Sequence, residues 1–159
     1  MSVELMQALL RHAKSAGADA ADALLVSSTS VSVQRRMRQT EQLERSEGRD
    51  LGLRVFVGQQ AAIVSSTAMD PAGFQALAER AVAMARVVPP DPYGGLAELM
   101  ATPEHVLLEM DDPSEPDVAA LTARAAAAEE AALSTPGITN SEGADAGYGR
   151  TEIVLVTSA

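Results

Sequence analysis

Residues 43–67 read LERSEGRDLGLRVFVGQQAAIVSST, and this stretch decides the fold. A charged segment leads into a turn centred on Gly48, and an apolar strand, a second turn at Gly58-Gln59 and another strand follow. Four apolar side chains recur at the strand period of two, so they fall on one face: Leu51, Leu53, Val55 and Val57. The stretch therefore predicts a hairpin in the core of a sheet, preceded by a polar segment.

The composition predicts a soluble acidic protein with an aliphatic core. The chain has 159 residues, of which 47% are hydrophobic and 3% aromatic, and it contains no cysteine. Its formal net charge of −10 opposes contact with nucleic-acid phosphates and with anionic membranes, so neither is an expected partner. The lack of cysteine excludes disulfides and thiolate zinc sites within these residues. Residues 2–14 hold no continuous apolar run, so we expect no signal peptide and, by default, a cytoplasmic location.

The N-terminal third predicts a helix followed by an antiparallel meander. Apolar residues at helical spacing indicate a helix that Ser2 caps and Gly17 ends. Alternating residues predict a strand over residues 20–36, with residues 40–47 as its antiparallel neighbour. The charged residues 35–39 form the turn between them, and the central hairpin continues the sheet.

Two further helices are predicted from their capping residues and apolar stripes. Asp70 followed by Pro71 is a strong helix start. The stripe behind it comprises Phe74, Leu77, Ala78, Ala81, Met84, Ala85 and Val88. Ser114 or Asp117 can cap a later helix. The apolar side of that helix comprises Val118, Leu121, Thr122, Ala125, Ala128 and Ala132.

The remaining segments predict short strands and connections. Residues 96–110 form a weakly patterned connector that can hold a short helix and then a short strand at residues 105–108. Residues 138–144 predict a short strand running into a loop, and Tyr148-Gly149 lie in the connection that follows. Residues 151–157 predict a clearer strand.

Together these elements predict an α+β fold with a mostly antiparallel or mixed sheet, packed with two to three longer helices. We predict an N-terminal α+β domain over residues 1–110, and a helix plus strands over residues 111–159 that continue into a further domain. The apolar strand at residues 153–156 ends three residues before the last one, although a strand normally needs neighbours. Either the chain is the front part of a longer protein or this strand inserts beside earlier ones, and the sequence leaves both open.

Five short motifs follow one another along the chain: GADAAD at residues 17–22, LGLRVFV at 51–57, AIVSST at 62–67, DPYGGL at 91–96 and ITNSEG at 138–143. Their order and spacing resemble the N-terminal part of the TldD/PmbA family, also called modulators of DNA gyrase. The SST, DPY and NSEG details are more similar to the PmbA (TldE) branch than to the TldD branch.

The resemblance implies a cytoplasmic subunit of a heterodimeric zinc metallopeptidase. In that family the TldD-type subunit carries a His-Glu-x-x-x-His zinc motif in its later part, and the PmbA-type subunit lacks a full zinc site and completes the assembly. We therefore expect a non-catalytic module that helps form the substrate chamber and subunit contacts for proteolysis of peptides or unfolded proteins. The partner would be a TldD-type subunit or, in a homodimer, a second copy. The alternative is a regulatory module that binds a protein and modulates DNA gyrase without peptidase chemistry.

The chain departs from the family in its length and its histidines. Family members are much longer, so a third possibility is that the intact protein is itself the catalytic subunit. Neither His12 nor His105 is followed by glutamate, and we predict that both are surface or structural residues. No catalytic residue and no metal ligand is therefore assigned to this chain, and zinc is expected only in a TldD-type partner.

The acidic pairs Asp111-Asp112 and Glu129-Glu130 are predicted to be structural rather than cation sites. Adjacent helical residues diverge by about 100°, so Glu129 and Glu130 do not share a face. Asp111-Asp112 lies just before a helix, where acidic side chains complement the helix dipole.

Arg35, Arg36 and Arg38 form the only basic cluster of the sequence. A nucleic-acid interface would need more cations and interleaved aromatic residues, so we interpret the cluster as a charged hairpin tip. Such a tip can meet an acidic surface of a partner, and these residues are our candidates for peptide or partner contact.

Ser65, Ser66 and Thr67 are the second group of candidate contact residues. A nucleophilic serine needs a nearby base, and the sequence indicates none. We expect these hydroxyls to solvate an open sheet face. An exposed edge of the same sheet could also receive an extended peptide by strand addition.

Overall fold

One antiparallel sheet and three helices account for the regular structure of residues 2–97 and 112–158, which the computed structural model describes. The helices are α1 (Ser2–Ala16), α2 (Phe74–Ala85) and α3 (Val118–Leu133). The strands are β1 (Ala20–Arg36), β2 (Gln39–Val57), β3 (Gln60–Ser66) and β4 (Ala144–Thr157), in the order β3-β2-β1-β4. The predicted α+β class is confirmed, and the predicted meander is present, with three strands instead of four.

The chain divides into two compact units. The first comprises Met1–Ser27, Arg49–His105 and Glu152–Ala159, and the second comprises Ser28–Gly48 and Val106–Thr151. The predicted boundary between residues 110 and 111 falls in a segment that the structure does not describe, so it stays a prediction.

The core of the first unit lies between the sheet and helices α1 and α2. Leu51, Leu53 and Val55 are completely buried, as the strand period of two predicts. From the helices, Met6, Leu9 and Phe74 pack into the same cluster. Because burial of such a side chain contributes about 1.5–3 kcal/mol, this cluster is the main source of stability in the unit.

Three of the predicted capping residues, Gly17, Asp70 and Asp117, lie where helices begin or end, whereas Ser2 is itself the first residue of α1. Gly17 has a φ of 101° and ends α1, where the N–H of Ala18 donates to the Ala13 carbonyl at 3.0 Å. Asp70 accepts from the Ala72 N–H at 3.0 Å, but it caps a 3-10 turn at Pro71–Gly73 that precedes α2. Of the two candidates for α3, Asp117 is the cap, because it accepts from the Ala120 N–H at 2.7 Å.

The predicted turn at Gly48 and the separate strand at residues 40–47 are wrong. Residues 39–57 form one continuous strand, β2, and Gly48 has no positive φ. The run of charged residues does not end the strand, because these side chains point into solvent. The predicted charged turn at residues 35–39 shrinks to Met37-Arg38, whose φ angles are 48° and 67°.

Strand β4 begins earlier than predicted. Ile138 lies in an exposed loop rather than a strand, and Tyr148-Gly149 lie inside β4 rather than in a connection. A β-carbon placed on Gly147 would lie 3.5 Å from the Val31 carbonyl oxygen. That distance is an ordinary van der Waals contact, so the glycines inside β4 are compatible with the strand, which pairs with β1, but are not required by it.

The helical stripes differ from the prediction at their margins. In α2, Met84 is exposed and Val82 is buried, because the face that contacts the core is rotated by a fraction of the step of about 100° between successive residues. In α3 only Leu121, Ala125 and Glu129 are buried, at a spacing of four. Of the other residues predicted for that side, Val118, Ala128 and Ala132 are exposed and Thr122 is half-buried. The helix and strand predicted within residues 98–111, and His105, lie outside the described residues.

Candidate functional site

The tip of the β1–β2 hairpin, which carries the predicted arginine cluster, adopts an unfavourable backbone conformation. A two-residue hairpin turn of type I′ has positive φ at both central residues, so glycine, asparagine or aspartate usually occupies them. Here those residues are Met37 and Arg38, and for such side chains the left-handed region costs free energy. Other contacts must therefore hold this turn in place.

Glu129 of α3 supplies the main contact. Its side chain is 2% exposed, and its Oε2 accepts from the backbone N–H of Arg38 at 2.8 Å. Burial raises the pKa of Glu129, but the Arg38 N–H, the Ser141 hydroxyl and the Met37 N–H lower it, and the pKa stays below its ordinary value. The buried carboxylate of Glu129 therefore stabilises the turn at Met37-Arg38 by accepting a backbone hydrogen bond from it.

Arg38 also forms a two-pronged ion pair with the next residue of α3. Its Nε and Nη2 atoms lie 2.9 and 3.1 Å from the Oε2 and Oε1 atoms of Glu130. This hydrogen-bonded pairing raises the pKa of Arg38 and lowers that of Glu130. Both side chains are more than half exposed, so the pair fixes geometry more than it adds stability.

The other two arginines of the cluster also have partners within the chain. Arg35 donates through Nη2 to the Arg38 carbonyl. Arg36 donates to the Ser141 carbonyl at 3.4 Å and lies 4.0 Å from the Glu41 carboxylate. The structure thus places the three arginines at one hairpin tip, and each donates to an acceptor within the chain, although the Nε atom of Arg35 is buried without a hydrogen-bond partner among the described residues. Their role in peptide or partner contact stays a prediction.

The NSEG motif packs against this tip. The N–H of Gly143 donates to the Ser141 hydroxyl at 3.0 Å, and Gly143 has a φ of 121°. A β-carbon on Gly143 would lie 2.9 Å from the Arg35 carbonyl oxygen, so only glycine fits there without a shift. The motif therefore contributes two contacts to the hairpin tip. The Ser141 carbonyl accepts from Arg36, and Gly143 allows the backbone to pass close to the Arg35 carbonyl.

The second group of predicted residues lies in the first unit, at the end of β3. Ser66 lines a depression of about 480 Å³ together with Asp70, Phe74 and Arg80. The Ser66 hydroxyl accepts from the Ala68 N–H at 3.0 Å, which is a local turn contact. Ser65 and Thr67 are exposed, as expected for hydroxyls that face solvent. No contact in the described residues tests their predicted role.

An ion pair that sequence reasoning missed lies on the face of the first unit's sheet opposite Leu53 and Val55. Arg54 contacts both carboxylate oxygens of Asp22, with an Nε–Oδ1 distance of 3.1 Å. This hydrogen bonding raises the pKa of Arg54, whose guanidinium also lies 5.2 Å from the centre of the Phe56 ring. Asp22 ends the GADAAD motif and Arg54 is central to LGLRVFV, but only the strand pairing shows that they meet.

The same face of the first unit carries a shallow apolar depression. It has a volume of about 360 Å³, and Leu24, Gly52, Ile63 and Leu155 line it beside the ion pair. Ile63 and Leu155 are 66% and 64% exposed, which is high for such large apolar side chains.

The GADAAD and DPYGGL motifs contact the β2–β3 hairpin. Asp19 accepts from the Gly58 N–H at 2.7 Å, and its own N–H donates to the Phe56 carbonyl at 2.8 Å. The N–H of Asp91 donates to the Gln59 carbonyl at 2.8 Å. Both motifs thus position the turn between the two strands.

Residues 2–97 and 112–158 contain neither a cluster of metal ligands nor a helix that could span a membrane. No three His, Cys, Asp or Glu side chains come together there as a metal ion would require. His12 lies half-buried in α1. None of the described helices is long and apolar enough to cross a membrane.

Comparison with known proteins relates this architecture to one family. Residues 21–85 match the sequence profile described as PmbA/TldA metallopeptidase domain 1. Among curated proteins, no sequence matches the chain.

Three solved structures share the fold. A proposed modulator of DNA gyrase from Bacteroides thetaiotaomicron has a TM-score of 0.78 and 20% identity over 98% of this chain and 36% of its own. TldE from Thermococcus kodakarensis has a TM-score of 0.79 and 16% identity over 97% of this chain and 35% of its own. A proposed gyrase modulator from Thermotoga maritima has a TM-score of 0.66 and 14% identity over 99% of this chain and 35% of its own.

This chain thus spans little more than a third of each of those proteins. The profile match covers β1, β2, β3 and α2 from residue 21 onward, and all five motifs lie in these elements or contact them or the β2–β3 turn. Residues 21–85 are thus similar to the first domain of the PmbA/TldA metallopeptidase family, in agreement with the resemblance that the sequence motifs indicate.

Proposed function

We propose that this chain is the non-catalytic N-terminal module of a PmbA/TldE-type subunit in a cytoplasmic zinc metallopeptidase. The observation that carries the proposal is the match of residues 21–85 to the first domain of that family. The SST, DPY and NSEG motifs favour the PmbA branch within it. The module would help form the substrate chamber and the subunit contacts, and the substrates would be peptides or unfolded proteins.

The contacts of the family motifs support a structural role for this module. Asp19, Arg54, Asp91 and Gly143 all hold turns or strands together, with their polar atoms engaged inside the chain. A reaction centre would instead keep such groups available for substrate or metal. In the proposal the zinc ion, which would polarise the scissile carbonyl and activate water, belongs to the TldD-type partner.

The test is a peptidase assay on the full-length protein, with and without a TldD-type subunit. We expect hydrolysis of an unfolded polypeptide only when both subunits are present, loss of activity with a chelator, and recovery with added zinc. Equal activity without the partner would refute the proposal. In that case the full-length reading frame should contain His-Glu-x-x-x-His, which sequencing shows directly.

The second candidate function is a regulatory module that binds DNA gyrase. Two of the structural neighbours are described as proposed gyrase modulators, which is why we retain it. The net charge of −10 opposes contact with DNA, so the contact would be with the gyrase protein. A pull-down with purified gyrase at several salt concentrations separates the two functions, because binding without any peptidase subunit favours regulation.

A further inference from the structure

The apolar depression on the first unit's sheet, on the face opposite Leu53 and Val55, has the size and lining of a ligand site. Its volume of about 360 Å³ is within the range of sites that bind small ligands. One large apolar side chain from each of β1, β3 and β4 lines it: Leu24, Ile63 and Leu155. These side chains are 38%, 66% and 64% exposed, so each retains apolar surface that a bound ligand would remove from water.

Gly52 also lines the depression, and neither its backbone conformation nor its packing requires a glycine. Its φ is not positive, and an added β-carbon would lie 3.9 Å from the Leu24 carbonyl oxygen, which is an ordinary contact. Glycine weakens the interior of a strand, because it loses more conformational entropy on folding than other residues. A larger residue would fit here and fill the depression. The glycine is therefore explained by the space that it leaves open.

Arg54 lines the same depression with a guanidinium whose orientation is fixed. Its Nε and Nη2 atoms donate to the two carboxylate oxygens of Asp22, and its guanidinium carbon lies 5.2 Å from the centre of the Phe56 ring. Within residues 2–97 and 112–158, no acceptor is found for the N–H groups of its Nη1 atom. Since the Arg54 side chain is 42% exposed, a ligand can reach these donors.

Asp22 determines which acceptor Arg54 suits. The Asp22 carboxylate already neutralises the guanidinium, so a second carboxylate or a phosphate would gain little attraction and would be repelled by Asp22. The net charge of −10 adds to that repulsion. A neutral acceptor such as a peptide carbonyl takes the N–H group without this cost. The site therefore favours a neutral ligand that combines a carbonyl group with an apolar side chain.

We propose that this depression binds an apolar segment of an extended peptide. One large apolar side chain of the peptide would pack against Leu24, Ile63 and Leu155, and a main-chain carbonyl would accept from the Nη1 atom of Arg54. Ser65, one of the residues predicted for peptide contact, pairs with Gly52 and therefore lies on the same face of the sheet.

The choice of a peptide as the ligand rests on the proposed function, in which peptides or unfolded proteins are the substrates. The site itself rests on the apolar walls, the glycine and the oriented guanidinium. Within that function, the inference names the substrate class: segments whose side chains are apolar and uncharged.

The test is an NMR titration of the isotope-labelled chain with pentapeptides of sequence Gly-Ser-Xaa-Ser-Gly, acetylated and amidated so that their ends are uncharged. With leucine or phenylalanine as Xaa, we expect saturable binding with a dissociation constant on the order of 1 mM. Shift changes should centre on the amides of β1, β2, β3 and β4 that surround the depression. With lysine or glutamate as Xaa, binding should be weaker by about fivefold or more. No peptidase subunit is present, so failure to bind and failure of the peptidase assay are separate results.

Two substitutions alter the walls of the site. Gly52→Val fills the depression with a side chain that strands favour, so we expect loss of binding with an equal or higher melting temperature. Ile63→Thr keeps the β-branched shape but removes apolar surface, and should weaken binding by about threefold. Ile138→Thr is the matched control, because it makes the same change at an exposed position of the second unit and should leave the affinity unchanged.

Asp22→Asn tests the argument from charge. Without the carboxylate, Arg54 keeps an uncompensated positive charge. The variant should therefore bind acetyl-Gly-Ser-Leu with a free carboxyl terminus about threefold or more tightly than the amide of the same peptide. The wild type should bind the amide at least as well as the free acid.

Four outcomes would overturn the inference. The first is no saturable binding of the leucine and phenylalanine peptides, or shift changes that lie elsewhere. The second is equal binding of the lysine or glutamate peptides. The third is a folded Gly52→Val variant that binds as the wild type does. The fourth is an Asp22→Asn variant that keeps the wild-type preference between the amide and the free acid.

Discussion

Glu129 shows how one buried carboxylate can determine the shape of a distant hairpin tip. A left-handed conformation at two adjacent non-glycine residues persists only where the surroundings favour it. Here the Glu129 carboxylate accepts the N–H of the second of them, Arg38. In ordinary hairpins an Asn-Gly pair favours the positive φ angles of the turn. Here a glutamate on a neighbouring helix stabilises the same conformation.

We expect Glu129→Gln to lower the melting temperature by several degrees and to speed hydrogen exchange of the Arg38 amide. Removing the charge weakens the hydrogen bond that holds the turn. Glu130→Gln is the matched control, because it removes only the exposed contact with Arg38 and should change the melting temperature little. Equal effects of the two variants would contradict this role of Glu129.

The same residue predicts a dependence of stability on pH. The pKa of Glu129 is lower in the folded chain than its ordinary value, so folding favours the ionised form. Its contribution is complete above the unfolded-state pKa and is lost as pH falls through the lowered folded value. Thermal unfolding across this acidic range should show a smaller wild-type advantage over Glu129→Gln at the lower pH, and a constant difference would contradict the prediction.

A substitution at Gly143 tests whether the close contact between this residue and the Arg35 carbonyl contributes to stability. Gly143→Ala would place a β-carbon 2.9 Å from the Arg35 carbonyl oxygen, on a backbone with φ of 121°. We expect a loss of about 1–3 kcal/mol of stability, measured by urea unfolding. Gly137→Ala is the matched control, since its φ is also positive, at 92°, but nothing lies within 4 Å. Equal losses would show that backbone strain alone matters.

At the scale of elements, the Asp22–Arg54 pair joins β1 to β2 on the open face of the first unit's sheet. A double-mutant cycle with Asp22→Asn and Arg54→Gln should give a coupling of about 1 kcal/mol or less, because Arg54 is 42% exposed and solvent screens the charge. The coupling should fall with added salt. For comparison, Arg45 and Glu47 are both more than 60% exposed and should couple more weakly.

The accuracy of the sequence predictions follows from how local each feature is. The bounds of β1 were predicted correctly because period-two alternation is a local signal. A glycine among charged residues is typical of a turn, so Gly48 predicts one, whereas its position inside β2, which pairs with β1, depends on contacts that are distant in sequence. Adjacent glutamates usually lie on a surface, so nothing local marks Glu129 as buried. The contact between Asp22 and Arg54 depends on strand register, which no motif encodes.

At the scale of the whole molecule, the two units differ in the apolar surface that they bury. Among the described residues, the buried apolar side chains of the second unit are Val33, Leu121 and Ala125. The first unit contains all the others, including the cluster around Leu53 and Phe74. Since buried apolar area is the dominant favourable term in folding, the free energy of opening should differ between the units.

We therefore expect the second unit to open at lower denaturant concentration than the first. Within the single strand β1, amides of residues 28–36 should exchange faster than those of residues 20–27. Residues 20–27 bury Ala21, Ala23 and Leu25 in the core of the first unit, whereas residues 28–36 bury only Val33. Native-state hydrogen exchange with mass spectrometry, across a series of low urea concentrations, measures both halves in one sample. The buried core helices α1 and α2 serve as the internal reference for global unfolding. Equal protection along the whole of β1 would mean that the chain unfolds as one cooperative unit, and the division in buried surface would then have no energetic consequence.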